Sequence, residues 1–159
     1  MTQARIFHVA LNVTDVERSI AFYERLGFKV ITRSPSTPEM AEQIGRLFGE
    51  QPNEHTAVLL RLGTDTYATC LDLVQWHTRP TEGRPYSAAN QTGIFRFSIH
   101  VNDPEVLLSR LRQNGISPIG EVIRLELAKG KPLSTLLVIK DPDGIVVEIV
   151  SGLDHLISQ

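Results

Sequence analysis

The sequence predicts an α+β fold made of two modules, each with the order βαβββ. The main observation is a repeat, because residues 6–28 return as residues 94–116 at a constant offset of 88 positions. The last strand of each module repeats as well, with Glu148 at the position of Asp72. A repeat that extends over strands and a helix indicates a duplicated structural unit.

The composition is that of an ordinary globular protein. The chain has 159 residues, 42% of them apolar and 21% charged, which suits one domain or two packed halves. A formal charge of −2 predicts neither a nucleic-acid surface nor a basic membrane patch. The single cysteine, Cys70, excludes an internal disulfide framework. With no apolar run near the roughly 20 residues of a membrane span, we expect a cytoplasmic protein without a membrane partner.

The first module, residues 1–78, begins with a strand and a capped helix. Within residues 6–13, apolar side chains occur at both odd and even positions, as in a strand whose two faces are both covered. Thr14 or Asp15 is expected to cap the helix that follows, and Gly27 to end it. Further strands are predicted at 28–32, 56–62 and 67–76, with an inserted helix at about 38–49 that is either a lid or an extra packing or dimer-contact helix.

The second module, residues 94–159, follows a connecting loop at 79–93 that is rich in proline, glycine and small polar residues. Asp103-Pro104 is a strong helix start, because an N-cap side chain precedes a proline at the first helical position. The remaining strands are predicted at 120–127, 133–140 and 145–151.

The strand motifs and their order resemble the paired modules of the vicinal oxygen chelate superfamily, which includes glyoxalase I, extradiol dioxygenases and bleomycin resistance proteins. The motifs that carry the resemblance are His-Val-Ala-Leu-Asn-Val-Thr-Asp (8–15), Ala-Phe-Tyr-Glu-Arg-Leu-Gly-Phe (21–28), Leu-Asp-Leu-Val (71–74) and Asp-Pro-Asp-Gly-Ile-Val-Val-Glu-Ile-Val (141–150). The resemblance implies a paired, open, barrel-like cup, a small-molecule ligand or substrate, and a homodimer.

The resemblance also implies a metal site at four positions, which in this chain are His8, Asp72, Arg96 and Glu148. Three of these residues offer ligands suited to Zn, Mn, Ni or Fe. Arg96 does not, because a guanidinium has no available lone pair and stays protonated. The metalloenzymes of the superfamily usually have a histidine at that position.

The arginine at position 96, where the metalloenzymes usually have a histidine, leaves two possible functions. The favoured one is binding of a small organic molecule in the cup without a standard metal site, with Arg96 neutralising the inward carboxylates. The alternative is a divalent-metal-dependent lyase or isomerase of glyoxalase or epimerase type that uses His8, Asp72 and Glu148, with a dioxygenase disfavoured; Arg96 would then clamp an anionic substrate.

Whether the protein is an enzyme stays open at this point. The candidate catalytic residues are His8, Glu148 and Arg96. Strand alternation places a further set of side chains on the same sheet faces as the four positions of the implied metal site. These residues form the candidate ligand pocket and are Asn12, Cys70, Trp76, Ser98 and His100. His55 and His77, near strand ends, are expected to be exposed polar residues.

Overall fold

The structure, a computed structural model, describes residues 4–128 and 131–152. The chain divides into two compact units, Met1–Gly83 and Arg84–Gln159. Among the described residues, the first unit has one four-stranded sheet with two helices and the second has one four-stranded sheet with one helix. The α+β fold class with two βαβββ modules is therefore confirmed. Within the described ranges, no helix is long and apolar enough to cross a membrane.

The described part of the first unit, residues 4–83, contains four strands and two helices. They are β1 (His8–Asn12), α1 (Val16–Arg25), β2 (Phe28–Pro35), α2 (Pro38–Phe48), β3 (His55–Leu62) and β4 (Cys70–Trp76). The strand order is β1-β4-β3-β2, with β1 parallel to β4 and the other neighbours antiparallel. The β1–β4 register places His8 opposite Cys70 and Ala10 opposite Asp72.

Helix α1 forms because its ends are capped and one side is apolar. Asp15, rather than Thr14, is the N-cap: its carboxylate accepts a hydrogen bond from the Arg18 N–H at 3.0 Å. Gly27, at φ 101°, takes the left-handed conformation that ends the helix at low steric cost. The fully buried Tyr23 anchors the apolar side in the core.

The core of the first unit lies on one face of its sheet. Val58 and Leu60 of β3, with Leu71 and Leu73 of β4, are buried there and alternate with the half-exposed Asp72 on the other face. The sheet therefore keeps one apolar face for packing and one more accessible face that carries polar side chains.

Helix α2 packs through small residues. Thr37 caps its start, and Gly49, at φ 69°, ends it. Its buried residues are Ala41 and Gly45, whereas the large side chains of Leu47 and Phe48 are exposed.

The second unit repeats the same arrangement without an inserted helix. Its elements are β5 (Arg96–His100), α3 (Pro104–Gln113), β6 (Ile123–Ala128), β7 (Lys131–Lys140) and β8 (Val146–Val150), in the sheet order β5-β8-β7-β6. Asp103 caps α3 through the Val106 N–H at 3.0 Å. Asp141 fixes the turn before β8, because its side chain accepts hydrogen bonds from the N–H groups of Asp143 and Ile145.

Candidate functional site

The accessible face of the first sheet carries five of the candidate residues, of which Cys70 is buried. We call it the His8 face and define it by the four of these residues that are not buried: His8, Asn12, Asp72 and Trp76. His8 is exposed, and Asp72 is half-exposed on the neighbouring strand, two residues further along in the register. Strand spacing places such a pair about 5 Å apart across the sheet and about 7 Å along it.

Asn12 and Trp76 form one fixed corner of the His8 face. The Trp76 Nε1–H donates a hydrogen bond to Asn12 Oδ1 at 2.8 Å. The ring of His55 lies 4.9 Å from that of Trp76, because the two residues are partners in the β3–β4 ladder. Both supports come from residues of the sheet itself.

A cleft of about 590 Å³ opens at this corner, within the first unit. Asn12, Trp76, Thr78, Arg79 and Glu82 are among its lining residues. Its size lies within the range of small-molecule pockets. Two other clefts, along α3 in the second unit, contain none of the candidate residues.

The structure corrects the expectation for His55. It is buried beneath Trp76, whereas we expected an exposed polar residue. His77 is exposed, as expected, and its Nε2 lies 2.9 Å from the Thr56 hydroxyl. Cys70 is buried on β4 opposite His8.

The accessible face of the second sheet is organised around Glu148. We call it the Glu148 face and define it by Arg96, Ser98, His100 and Glu148. Arg96 Nε lies 3.1 Å from Glu148 Oε1, and the Ser98 hydroxyl donates a hydrogen bond to Glu148 Oε2. The β5–β8 register explains the trio, because Ser98 stands opposite Glu148 and Arg96 lies two residues earlier on the same face.

Both oxygens of the Glu148 carboxylate are therefore engaged by side chains of β5. The Glu148 side chain is 14% exposed and that of Arg96 is 46% exposed, so the carboxylate is shielded while the guanidinium reaches solvent. A carboxylate held in this way is charge-compensated, and the cost of burying it is correspondingly reduced.

Apolar side chains flank the trio on the Glu148 face. Val138 stands opposite Glu148, and Leu136 stands opposite Ile123 of β6. His100, opposite Val150, continues the polar row and is half-buried. The face thus combines one charged centre with an apolar wall, which suits an organic molecule better than a fully hydrated ion.

The residues present do not fit the four-ligand metal centre that the resemblance implies. His8 and Asp72 keep donor atoms available for a metal, whereas Arg96 has none and already binds one oxygen of Glu148. Within residues 4–128 and 131–152, no group of three or more His, Cys, Asp and Glu side chains is placed to hold a metal ion.

Sequence reasoning did not single out Arg61 of β3. The signal was present, because alternation from His55 through Leu59 sends Arg61 to the His8 face, where Leu59 stands opposite Asp72. Its Nε–H is shielded from solvent and has no hydrogen-bond partner in the described part of the chain.

Comparisons with known proteins agree with the observed fold of two βαβββ units. A sequence model of the Glyoxalase/Bleomycin resistance protein/Dioxygenase superfamily matches residues 5–149. The chain is similar to the lactoylglutathione lyase of Salmonella typhimurium, with 28% identity over 94% of each chain.

Solved structures show the same fold. A glyoxalase family protein from Bacillus cereus aligns with a TM-score of 0.80 and 22% identity over 95% of each chain. The trypanothione-dependent glyoxalase I of Leishmania major aligns with a TM-score of 0.63 and 24% identity, over 97% of this chain and 91% of that protein. With the match over residues 5–149 and the two βαβββ units, the chain belongs to the Glyoxalase/Bleomycin resistance protein/Dioxygenase superfamily.

Proposed function

We propose that the protein binds a small organic molecule and does so without a standard divalent-metal centre. The observation that carries this proposal is the contact of Arg96 and Ser98 with the two oxygens of Glu148. A metal ion would have to displace the guanidinium and would face its positive charge.

The ligand's chemistry follows from what the two faces offer. Trp76, fixed by Asn12 and backed by His55, supplies a rigid aromatic wall beside a cleft. Val138, opposite Glu148, and Leu136, opposite Val150, supply apolar contacts on the Glu148 face. Each face by itself suits a molecule with an aromatic or otherwise apolar body and at least one polar group.

The proposal also includes a homodimer in the cytoplasm. The homodimer is supported by the superfamily resemblance. The location is supported by the use of one cysteine, which is buried and unpaired. Sedimentation of the purified protein over a range of concentrations would test the oligomeric state.

Ligand binding can be tested with a built-in probe, because Trp76 is the only tryptophan in the chain. A panel of aromatic and peptide-like small molecules should be titrated in excess EDTA while Trp76 fluorescence is followed. We expect saturable binding that weakens in Asn12→Ala, which removes the partner of the indole.

The matched control for this titration is Asn114→Ala. Asn114 lies in the second unit and donates its side-chain N–H to Arg110 O, away from both faces. Its replacement should leave the titration unchanged. Binding that disappears in EDTA and returns with added Zn²⁺ would contradict the metal-free proposal.

A second candidate function is a metal-dependent lyase or isomerase. The observation in its favour is the 28% identity to a lactoylglutathione lyase, together with the retained donors His8 and Asp72. The test is lactoylglutathione lyase activity with added Zn²⁺ or Ni²⁺. Metal-dependent turnover that is lost in His8→Ala would establish this candidate and reject the first.

A further inference from the structure

A row of titratable side chains crosses the first sheet on the His8 face. Lys29 of β2 and Arg61 of β3 are direct partners in the antiparallel ladder, and His8 and Cys70 are partners in β1 and β4. Arg61 follows the Leu60–Leu71 pair by one residue, which places it beside Cys70. The row therefore reads Lys29, Arg61, Cys70 and His8 across all four strands.

Arg61 is poorly satisfied by the protein itself. Its side chain is half-buried on an interior strand, and its Nε–H has neither solvent nor a hydrogen-bond partner within the described residues. Asp72 lies on the same face, yet no ion pair joins it to Arg61 in the described structure. A shielded guanidinium donor without an acceptor is costly in a folded protein.

The position of Lys29 adds to this cost. Like charges directly opposite each other on neighbouring strands repel. Lysine on an edge strand commonly serves to prevent sheet-to-sheet aggregation, and β2 is an edge strand. That role accounts for Lys29 alone, because Arg61 lies inside the sheet.

The second unit repeats a cation at the equivalent place. Lys140 of β7 stands opposite Val146 of β8, and Val146 stands opposite Arg96 of β5. In the repeat, Val146 corresponds to Cys70, so that Lys140 corresponds to Arg61. A positive side chain thus occupies this row position in both units.

We propose that Arg61 and Lys29 bind an anionic group, a carboxylate or a phosphate, of the small molecule that the protein takes up. The inference rests on the proposed function and specifies its ligand as an anion. An anion bridging the two side chains removes their repulsion, and a change in the Arg61 side-chain rotamer would bring its N–H donors, including Nε–H, to the anion.

Sodium phosphate and sodium acetate are the probes for this site. Thermal unfolding should be followed in each salt and in sodium chloride at matched ionic strength, because an anion that binds the native state raises Tm with its concentration. We expect phosphate or acetate to raise the Tm of the wild type above its value in chloride. Anions such as phosphate also stabilise proteins by exclusion from their surface. The ligand's anionic group is therefore identified by the anion whose effect Arg61→Gln reduces more.

The variants are Arg61→Gln and Lys29→Gln, with Arg25→Gln as the control. Arg25 is an exposed arginine of α1, so its replacement makes the same change in net charge away from the His8 face. Arg61→Gln removes a charged hydrogen-bond donor, so the apparent affinity for the anion, obtained from the rise of Tm with anion concentration, should fall by roughly tenfold or more. Arg25→Gln should behave as the wild type.

A stability measurement separates a binding role of Arg61 from a structural one. In chloride alone, Arg61→Leu should unfold at a urea concentration no lower than that of the wild type, because the substitution removes a repulsion and an unpaired donor. Marked destabilisation would overturn the proposal, as would equal anion effects in Arg61→Gln and Arg25→Gln or no anion effect in the wild type. None of these results concerns metal, so each is distinguishable from failure of the proposed function.

Discussion

The ion pair between Arg96 and Glu148 makes a quantitative prediction for Arg96→Met. This substitution keeps much of the side-chain volume and removes the charge that lies 3.1 Å from Glu148 Oε1. The carboxylate then keeps only the Ser98 hydroxyl as a side-chain donor. We expect the free energy of unfolding to fall at neutral pH.

The magnitude follows from the exposure of the two partners. Exposed ion pairs contribute about 0–1 kcal/mol, whereas breaking a fully buried pair costs about 3–5 kcal/mol. Glu148 is 14% exposed and Arg96 is 46% exposed, so solvent screens the pair from one side only. A loss of roughly 1–2 kcal/mol is expected, and it should shrink as salt is added.

Urea unfolding followed by far-ultraviolet circular dichroism is the suitable assay, because the only tryptophan lies in the first unit and would report on that unit. The control is Arg110→Met, which changes an exposed arginine of α3 and should shift the free energy by less than about 0.5 kcal/mol. If Arg96→Met were neutral or stabilising, Arg96 would not be compensating Glu148.

Three further predictions concern the first unit. Asp15→Ala should cost about 1 kcal/mol, measured by urea unfolding, because it removes the N-cap of α1; an unchanged midpoint would reject the cap. Gly45→Ala should cost about 1–3 kcal/mol in the same assay, since the added Cβ would lie 2.9 Å from Glu50 O. Hydrogen bonding from Arg33 holds the pKa of Glu17 below its ordinary value. The pair therefore stabilises the fold fully at pH values above the pKa of Glu17 in the unfolded chain. This stabilisation is lost as the pH falls through the lower pKa of Glu17 in the folded protein. Arg33→Gln should therefore slightly lower Tm at neutral pH and make no difference in strong acid; a Tm difference independent of pH would contradict this assignment.

Much of the fold was predictable because local signals and the repeat agree. Asp103 followed by proline marked the start of α3, which begins at Pro104. The start of β4 was placed too early, at residue 67 instead of Cys70. The reason is a local hydrogen bond: Asp65 Oδ1 accepts from the Tyr67 N–H at 2.8 Å, which extends the turn at the expense of the strand.

The candidate site was predictable only in part. Alternation along β5 and β8 sends Arg96, Ser98 and Glu148 to one face, but it does not determine which side chains meet. That Ser98 and Arg96 divide the two oxygens of Glu148 depends on register and side-chain geometry, which only the structure supplies. The burial of His55 beneath Trp76 similarly depends on the pairing of these two residues across β3 and β4.

The metal content of the purified protein tests the central claim most directly. The protein should be produced in medium supplied with Zn, Mn, Ni and Fe, dialysed, and analysed by elemental mass spectrometry beside His8→Ala and Glu148→Gln. Because Arg96 contacts Glu148 and has no lone pair to offer a metal, we predict metal well below one equivalent in all three proteins. One equivalent of a divalent metal in the wild type, lost in either variant, would contradict the account.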